Sequence, residues 1–185
     1  MAPEPSPASQ LAEIAQSIAI ATSIGTTDER LDALTPFLAQ VREALRMEVA
    51  FVSQLIEARR VFKVVSASRA GDSALKVGHS DSLLDTYCLY VVQGRLPPVI
   101  RNIRSSSHEA VLLPITERLH IGCYVSAPVV LSNGHVFGTL CCFSSGARPD
   151  LTEADGQALR EVASAIAGAV QGGGFVGPLQ WKPPG

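Results

Sequence analysis

Charge of either sign is scarce in this chain of 185 residues. Only 17% of its side chains are charged, and 17 acidic against 15 basic groups leave a net charge of −2. That balance excludes the clustered basic footprint of a nucleic-acid binder. No apolar run reaches the roughly 18 residues that a membrane span needs, because Arg, Glu, Ser or Gly interrupts every candidate. The N-terminus, MAPEPSPASQ, has neither the positive n-region nor the apolar h-region of a secretory signal. Internal repeats are lacking too. So are C-x-x-C and H-x-x-x-H, the spacings that would suggest a structural zinc site. What is present is a composition that is 46% hydrophobic, enough to build a real core. The expectation is a soluble, cytoplasmic domain with no nucleic-acid and no membrane partner.

Order along the chain gives the fold class. Residues 1–8 hold three prolines and read as a flexible leader, residues 9–171 as one domain, and residues 172–185 as a Gly/Pro-rich tail, loosely attached. Leu11, Ile14 and Ile18 recur at helical spacing behind Ser9 as N-cap. A second helix opens on Thr26 and Glu29, spaced as a capping box, and Pro36 predicts a kink or restart inside it. Residues 48–56 and 60–67 read as a hairpin, and residues 83–92 as a short helix stopped at Gly94. Pro97-Pro98 opens a brief strand over 99–103. Residues 105–120 read as loop and helical turns with Leu112, Leu113 and Ile115 buried. Residues 124–131 and 135–144 flank Ser132-Asn133-Gly134, whose Asn-Gly supplies the positive φ of a tight hairpin, and Pro128 marks an edge or a bulge. A terminal helix follows behind Thr152 and Asp155, striped by Leu159, Val162, Ile166 and Val170 and ended by the glycines at 172–174. The result is an α+β domain with a mostly antiparallel sheet.

Tyr87-Cys88, GRLPPVI and IGCYVSAPVVLSNGHVFGTLCCFS carry a resemblance to the GAF family of sensory domains. The chain is most similar to bacterial members with the pattern I-G-x-Y-x-x-x-P-x-x-L-S-x-G-x-x-x-G-T-L-C-C. Here those positions are Ile121, Gly122, Tyr124, Pro128, Leu131, Ser132, Gly134, Gly138, Thr139, Leu140, Cys141 and Cys142. The resemblance implies a central antiparallel sheet with the N- and C-terminal helices on one face. A short-helix and loop cap would cover a small-molecule pocket on the other. It also implies a signalling role beside a kinase or cyclic-dinucleotide output domain, and a homodimer through the terminal helices. By position the pocket candidates are Phe51, Ser53, Tyr87, Cys88, Val91, Leu112, Leu113, Ile115, His120, Tyr124 and Phe143. Strand parity puts Phe137, Thr139, Cys141 and Phe143 on one face of the last strand and Val136, Gly138, Leu140 and Cys142 on the other. Which face meets the cap is left open.

No catalytic motif stands out: G-x-S-x-G, a phosphate loop and paired carboxylates are all lacking, and the four histidines have no ligand spacing. Cys88 has three readings: a small buried apolar residue, a bilin attachment point, or a redox thiol with Cys123 as partner, as in a thiol-based sensor or reductase. In bilin-binding members the attaching Cys is commonly followed by His, whereas here Leu89 follows. Haem would need an inward axial ligand that nothing singles out, so no cofactor is required. Arg95, Arg101 and Arg104 are the only candidates for gripping an anion from the rim. The expected ligand is neutral or weakly polar. A domain with a closed pocket that only dimerises is the remaining alternative. The two helical stripes both need cover, which predicts a dimer seam.

Overall fold

The computed structural model describes residues 5–68, 75–171 and 179–182. Helix α1 (Pro7–Ala21) starts two residues before Ser9: Ser6 is the N-cap and Pro7 takes the first turn, where its missing N–H costs nothing. The expected second helix is two, α2 (Thr27–Ala33) and α3 (Thr35–Ala44), with the restart at Leu34-Thr35 immediately before Pro36. The Thr26–Glu29 capping box is present in full. Strands β1 (Val49–Ile56) and β2 (Arg59–Ala67) form the first hairpin, and β3 (Ser80–Ser82) adds to β2. Residues 83–92 divide at Thr86 into a 3₁₀ turn and α4 (Tyr87–Val92), and Gly94 beyond has φ +68°. The next strand is shorter than expected: β4 (Val99–Ile100). After 3₁₀ turns and α5 (Pro114–Arg118), the hairpin β5 (Cys123–Val130) and β6 (Val136–Ser144) leads into α6 (Glu153–Val170). The sheet order is β3-β2-β1-β6-β5-β4, antiparallel throughout.

The two faces of the sheet carry separate cores. On one, α1, α2, α3 and α6 cover Ala50, Val52, Val64, Val125, Ala127, Leu140 and Cys142. On the other, α4 and the 3₁₀ and α5 segment cover Phe51, Leu55, Phe62, Tyr124, Cys141 and Phe143. Two bulges set which residue goes where. In β2 the pairing skips Lys63, so Phe62 faces the cap while Val64 faces the helices. In β6 it skips Phe137, which turns to the helix layer. Strict alternation had put Phe137 with Thr139 and Cys141, and the extra residue of the bulge breaks that parity. Gly138, next to this bulge, lies so close to β1 that a Cβ would sit 1.6 Å from the carbonyl oxygen of Ser53.

Three further expectations are corrected. Leu11, Ile14 and Ile18 pack against α6, and the α6 stripe packs on β5, so both stripes are covered within one chain and do not themselves call for a second one. The tail is not loose where it is described: Val136 donates its N–H to Leu179, and Trp181 donates to Gly134. Leu112 is 83% exposed. It lies in the 3₁₀ turn Glu109–Leu112, where residues three apart eclipse; Leu112 therefore shares the outward side of Glu109, and Ala110 takes the inward one. The glycines at 172–174 lie outside the described residues.

Candidate functional site beneath the cap

Phe51, Ser53, Tyr87, Cys88, Val91, Ile115, Tyr124 and Phe143 are all buried between sheet and cap, with Leu113 partly buried against them. Leu112 and His120 are not among them. His120 ends α5 in a left-handed conformation, φ +51°, and its side chain is exposed beside Arg104 and Ser106 in a shallow outer cleft.

Sequence reasoning missed the residue at the centre. Arg60 is 2% exposed, and its guanidinium lies 4.5 Å from the Phe62 ring centroid and 5.3 Å from that of Phe51. Phe51 and Phe62 meet edge to face, so the cation is held against two π-systems. One terminal nitrogen of Arg60 pairs with Asp81 on β3, and Asp81 also accepts from Arg118 of α5 at 3.0 Å. The other lies 3.5 Å from Cys88 Sγ, and Nε has no partner. A chain of charges thus runs from the outer cap, through β3, to α4. The signal was in the sequence: Arg60 stands two residues from Phe62, and alternation puts both on one face.

Around Cys88 the donors converge. Thr139 Oγ1 donates to Cys88 Sγ at 3.0 Å and therefore accepts from Ser53 Oγ at 2.9 Å. Tyr124 OH donates to Cys141 Sγ at 2.9 Å, and the Cys141 thiol in turn donates to Thr139 Oγ1 at 3.3 Å, so that one hydroxyl joins the two sulfurs. Burial alone would push Cys88 up. The neighbouring Cys141 thiol, the Arg60 charge and the Thr139 hydroxyl outweigh it and hold Cys88 well below the ordinary thiol value. Burial and the nearness of Cys88 push Cys141 well above it. Burial likewise raises Tyr124, whose hydroxyl stays protonated. A site that supplies only donors to one sulfur favours its thiolate, and the buried guanidinium is the counter-charge. At the other side of the cluster, Tyr87 stacks edge to face on Tyr124 and bonds Thr116 of α5 at 2.6 Å.

The expected partner of Cys88 is corrected by this geometry. Cys123 belongs to the helix-side core, touching Met47, whereas Cys88 lies on the cap side with Cys141. The rim arginines do not enter the centre. Arg95 stacks on Tyr90 and pairs with Glu109, Arg101 bonds the Leu151 carbonyl and Glu153, and Arg104 is exposed. Among the described residues no group of three His, Cys, Asp or Glu side chains could hold a metal ion, and no helix is long and apolar enough to cross a membrane.

A two-layered sheet with such a cap is matched by a known family: the GAF domain family model covers residues 29–170, most of the chain. The chain belongs to the GAF domain family. No curated protein matches its sequence significantly. Solved structures agree on the fold. The GAF domain of an Acinetobacter phosphoenolpyruvate-protein phosphotransferase is 22% identical, with a TM-score of 0.65 over 87% of this chain and 90% of that one. The phycocyanobilin-bound GAF domain of a cyanobacterial phytochrome is 13% identical, with a TM-score of 0.70 over 86% and 93%. Free methionine-R-sulfoxide reductase from Neisseria meningitidis, solved with its substrate, is 14% identical, with a TM-score of 0.68 over 92% and 94%. At these identities the likeness establishes the fold alone. GAF domains are typically sensory or regulatory parts of signalling proteins.

Proposed function

We propose that this GAF domain is the sensory module of a signalling protein and that its stimulus registers at the Arg60–Cys88 centre. One observation carries the reading: a buried guanidinium whose Nε has no partner among the described residues, beside a sulfur that accepts from it and from Thr139. A small molecule with a hydrogen-bond acceptor or an anionic group, admitted when the cap opens, would take the free Nε. That revises the neutral ligand expected from composition. Such a ligand competes with Asp81 for Arg60 and loosens the tie between Arg118 on the cap and the sheet. The change would pass to an output domain such as a kinase or a cyclic-dinucleotide enzyme. If the module works as a homodimer, the outer surfaces of α1 and α6 must provide the seam, where Ile20 is 76% exposed. The test is amide exchange across residues 83–92 and 105–120 before and after exposure to a small-molecule cell extract. Altered protection in the wild type that Arg60→Met abolishes supports the reading; protection unchanged in both sinks it.

A second reading has its own observation: the Thr139 hydroxyl donates to Cys88 and accepts from Cys141, which brings the two thiols to one point on the cap side of the sheet. A hydroperoxide would be attacked by the Cys88 thiolate, giving a sulfenic acid as the O–O bond breaks and the leaving oxygen departs protonated. The Cys141 thiol would displace water from that sulfenic acid to close a disulfide. The two thiols lose two electrons and the peroxide gains them. Peptide mass analysis after peroxide treatment tests it: a Cys88–Cys141 crosslink is expected, and a stable sulfenic acid at Cys88 in Cys141→Ser. Thiols that stay reduced throughout would exclude this chemistry.

A further inference from the structure

A second cleft shares Val91 with the capped site and opens from there toward the opposite edge of the sheet from Arg60. Strand β4 pairs with Val125 and Tyr124, and among the described residues no strand lies beside the remainder of the β5 edge. Pro128 stands on that bare stretch and has no N–H to offer another strand, which blunts the edge against pairing with a second chain. A cleft of about 540 Å³ opens there, within the range of small-molecule sites. Its walls are Val91, Leu96, Pro97, Pro98 and Pro128, with Trp181 brought in by the tail. Two polar groups break the apolar lining. Ser126 lines the cleft, is fully buried, and its Oγ has no hydrogen-bond partner among the described residues. Arg160, on α6, reaches the rim from the other side of the sheet, resting on Gln157.

A buried hydroxyl without a partner costs free energy that native proteins rarely leave uncompensated. Here the missing partner belongs to something that fills the cleft. Flat proline rings and an indole suit a planar ring, Ser126 suits a hydroxyl or carbonyl on that ring, and Arg160 suits an anionic group at the mouth. We infer that this cleft binds a small aromatic carboxylate bearing a second polar substituent, at a site separate from the Arg60–Cys88 centre.

Trp181 is the single tryptophan of the chain, so its emission reports on this cleft alone. The experiment titrates the full chain with 4-hydroxybenzoate, following Trp181 fluorescence and the thermal midpoint, and repeats it with 4-hydroxybenzyl alcohol. Expected are a saturable change in emission and a raised midpoint with the acid, and binding about tenfold weaker with the neutral alcohol or in Arg160→Gln. Ser126→Ala is expected to weaken binding while leaving the free protein as stable or more so, since it removes an unpartnered polar group. An unchanged emission and midpoint up to saturating acid would overturn the site. Equal affinity for acid and alcohol would overturn the assigned ligand class. A free protein destabilised by Ser126→Ala would mean that the hydroxyl serves the fold instead. Arg60→Met is expected to leave this titration unchanged, which keeps the outcome distinct from that at the capped centre.

Discussion

Cys141 and Cys142 are neighbours on β6, equally buried, and chemically unlike. Cys142 faces the helices among Leu, Val and Ala, where burial pushes its thiol to about 12 and it behaves as a small hydrophobe. Cys141 faces the cap, where Tyr124 donates to it and it donates to Thr139 beside Cys88. The pleat alone separates them. The same division runs through the whole sheet: one face buries stripes of apolar residues, the other buries a guanidinium, two tyrosine hydroxyls, three threonines and two thiols. The helix face holds the fold, and the cap face holds a set of groups whose charges and protons depend on one another. A change confined to one face should leave the signature of the other alone.

The largest effect that sharpens this contrast is Leu159→Ala. Leu159 is fully buried in the helix-side core, and a Leu-to-Ala change at such a site costs about 3 kcal/mol through lost transfer and the cavity left behind. Chemical denaturation should show that loss, while the pH dependence of Cys88 alkylation in the native state stays as in the wild type. An altered Cys88 titration would mean that the two faces are coupled through the sheet.

Arg60→Met inverts the pattern. Methionine fills much of the space, and Asp81, 19% exposed, keeps Arg118, so no charge is stranded in the interior. The stability loss should be about 2 kcal/mol or less, because Asp81 keeps a cation and Cys88 can take up a proton, so neither partner of Arg60 stays charged and alone. Cys88 loses its counter-charge and should titrate at higher pH. Alkylation rates across pH measure it; a Cys88 titration unmoved by the change would show that hydrogen bonds alone lower it.

How far the sequence announced this arrangement depended on how local each signal was. The capping boxes at Thr26 and Thr152, the Asn133-Gly134 turn and the restart before Pro36 are set by a few adjacent residues, and all were legible. The two-faced division was legible from the family resemblance. The bulges at Lys63 and Phe137 were not, because an extra residue in one strand is defined only by its partner strand. Arg60 was overlooked for a related reason. An arginine at the start of a strand resembles a solvated hairpin residue until Asp81, Cys88 and two phenyl rings are brought around it by β3 and α4. The cleft at Ser126 needed the length of β4 and the return of Trp181, both of them tertiary facts.

Stability against pH should also differ in sign between the faces. Cys142 is held above the ordinary thiol value of 9, at about 12, so the folded protein keeps it neutral while the unfolded chain ionises it. Its contribution is present in full below pH 9 and falls as pH rises toward 12, by roughly 1.4 kcal/mol per pH unit. Cys88 is held below its ordinary value, so its contribution grows as pH rises from its lowered value to the ordinary one, persists above that, and is lost on acidification. Subtracting the stability of Cys142→Ala from that of the wild type should therefore give a difference that declines with alkalinity. The same subtraction for Cys88→Ala should give one that rises up to about pH 9. Two curves of the same slope would erase the distinction between the faces.

The smallest expected effect serves as the control for the others. Thr152 caps α6: its Oγ1 accepts from the Asp155 N–H at 3.3 Å, and the Asp155 carboxylate accepts from the Thr152 N–H and hydroxyl, each at 2.8 Å. Thr152→Ala removes the side-chain half of this reciprocal pair and leaves the Asp155 N–H only the Thr152 carbonyl, at 3.2 Å, near the start of an 18-residue helix. Such a loss is worth about 1 kcal/mol. Asp155 is itself nearly buried, so water replaces the lost partner poorly, and the cost should lie toward the upper part of that range rather than vanish. The value is close to the loss expected of Arg60→Met, yet the residue sits at the end of the helix layer, far from the capped cluster. Denaturation should thus place the two variants within about 1 kcal/mol of each other. Only Arg60→Met should shift the Cys88 titration. If Thr152→Ala shifted it equally, the change would follow from lowered stability and local opening, and the role assigned to the Arg60 charge would fall with it.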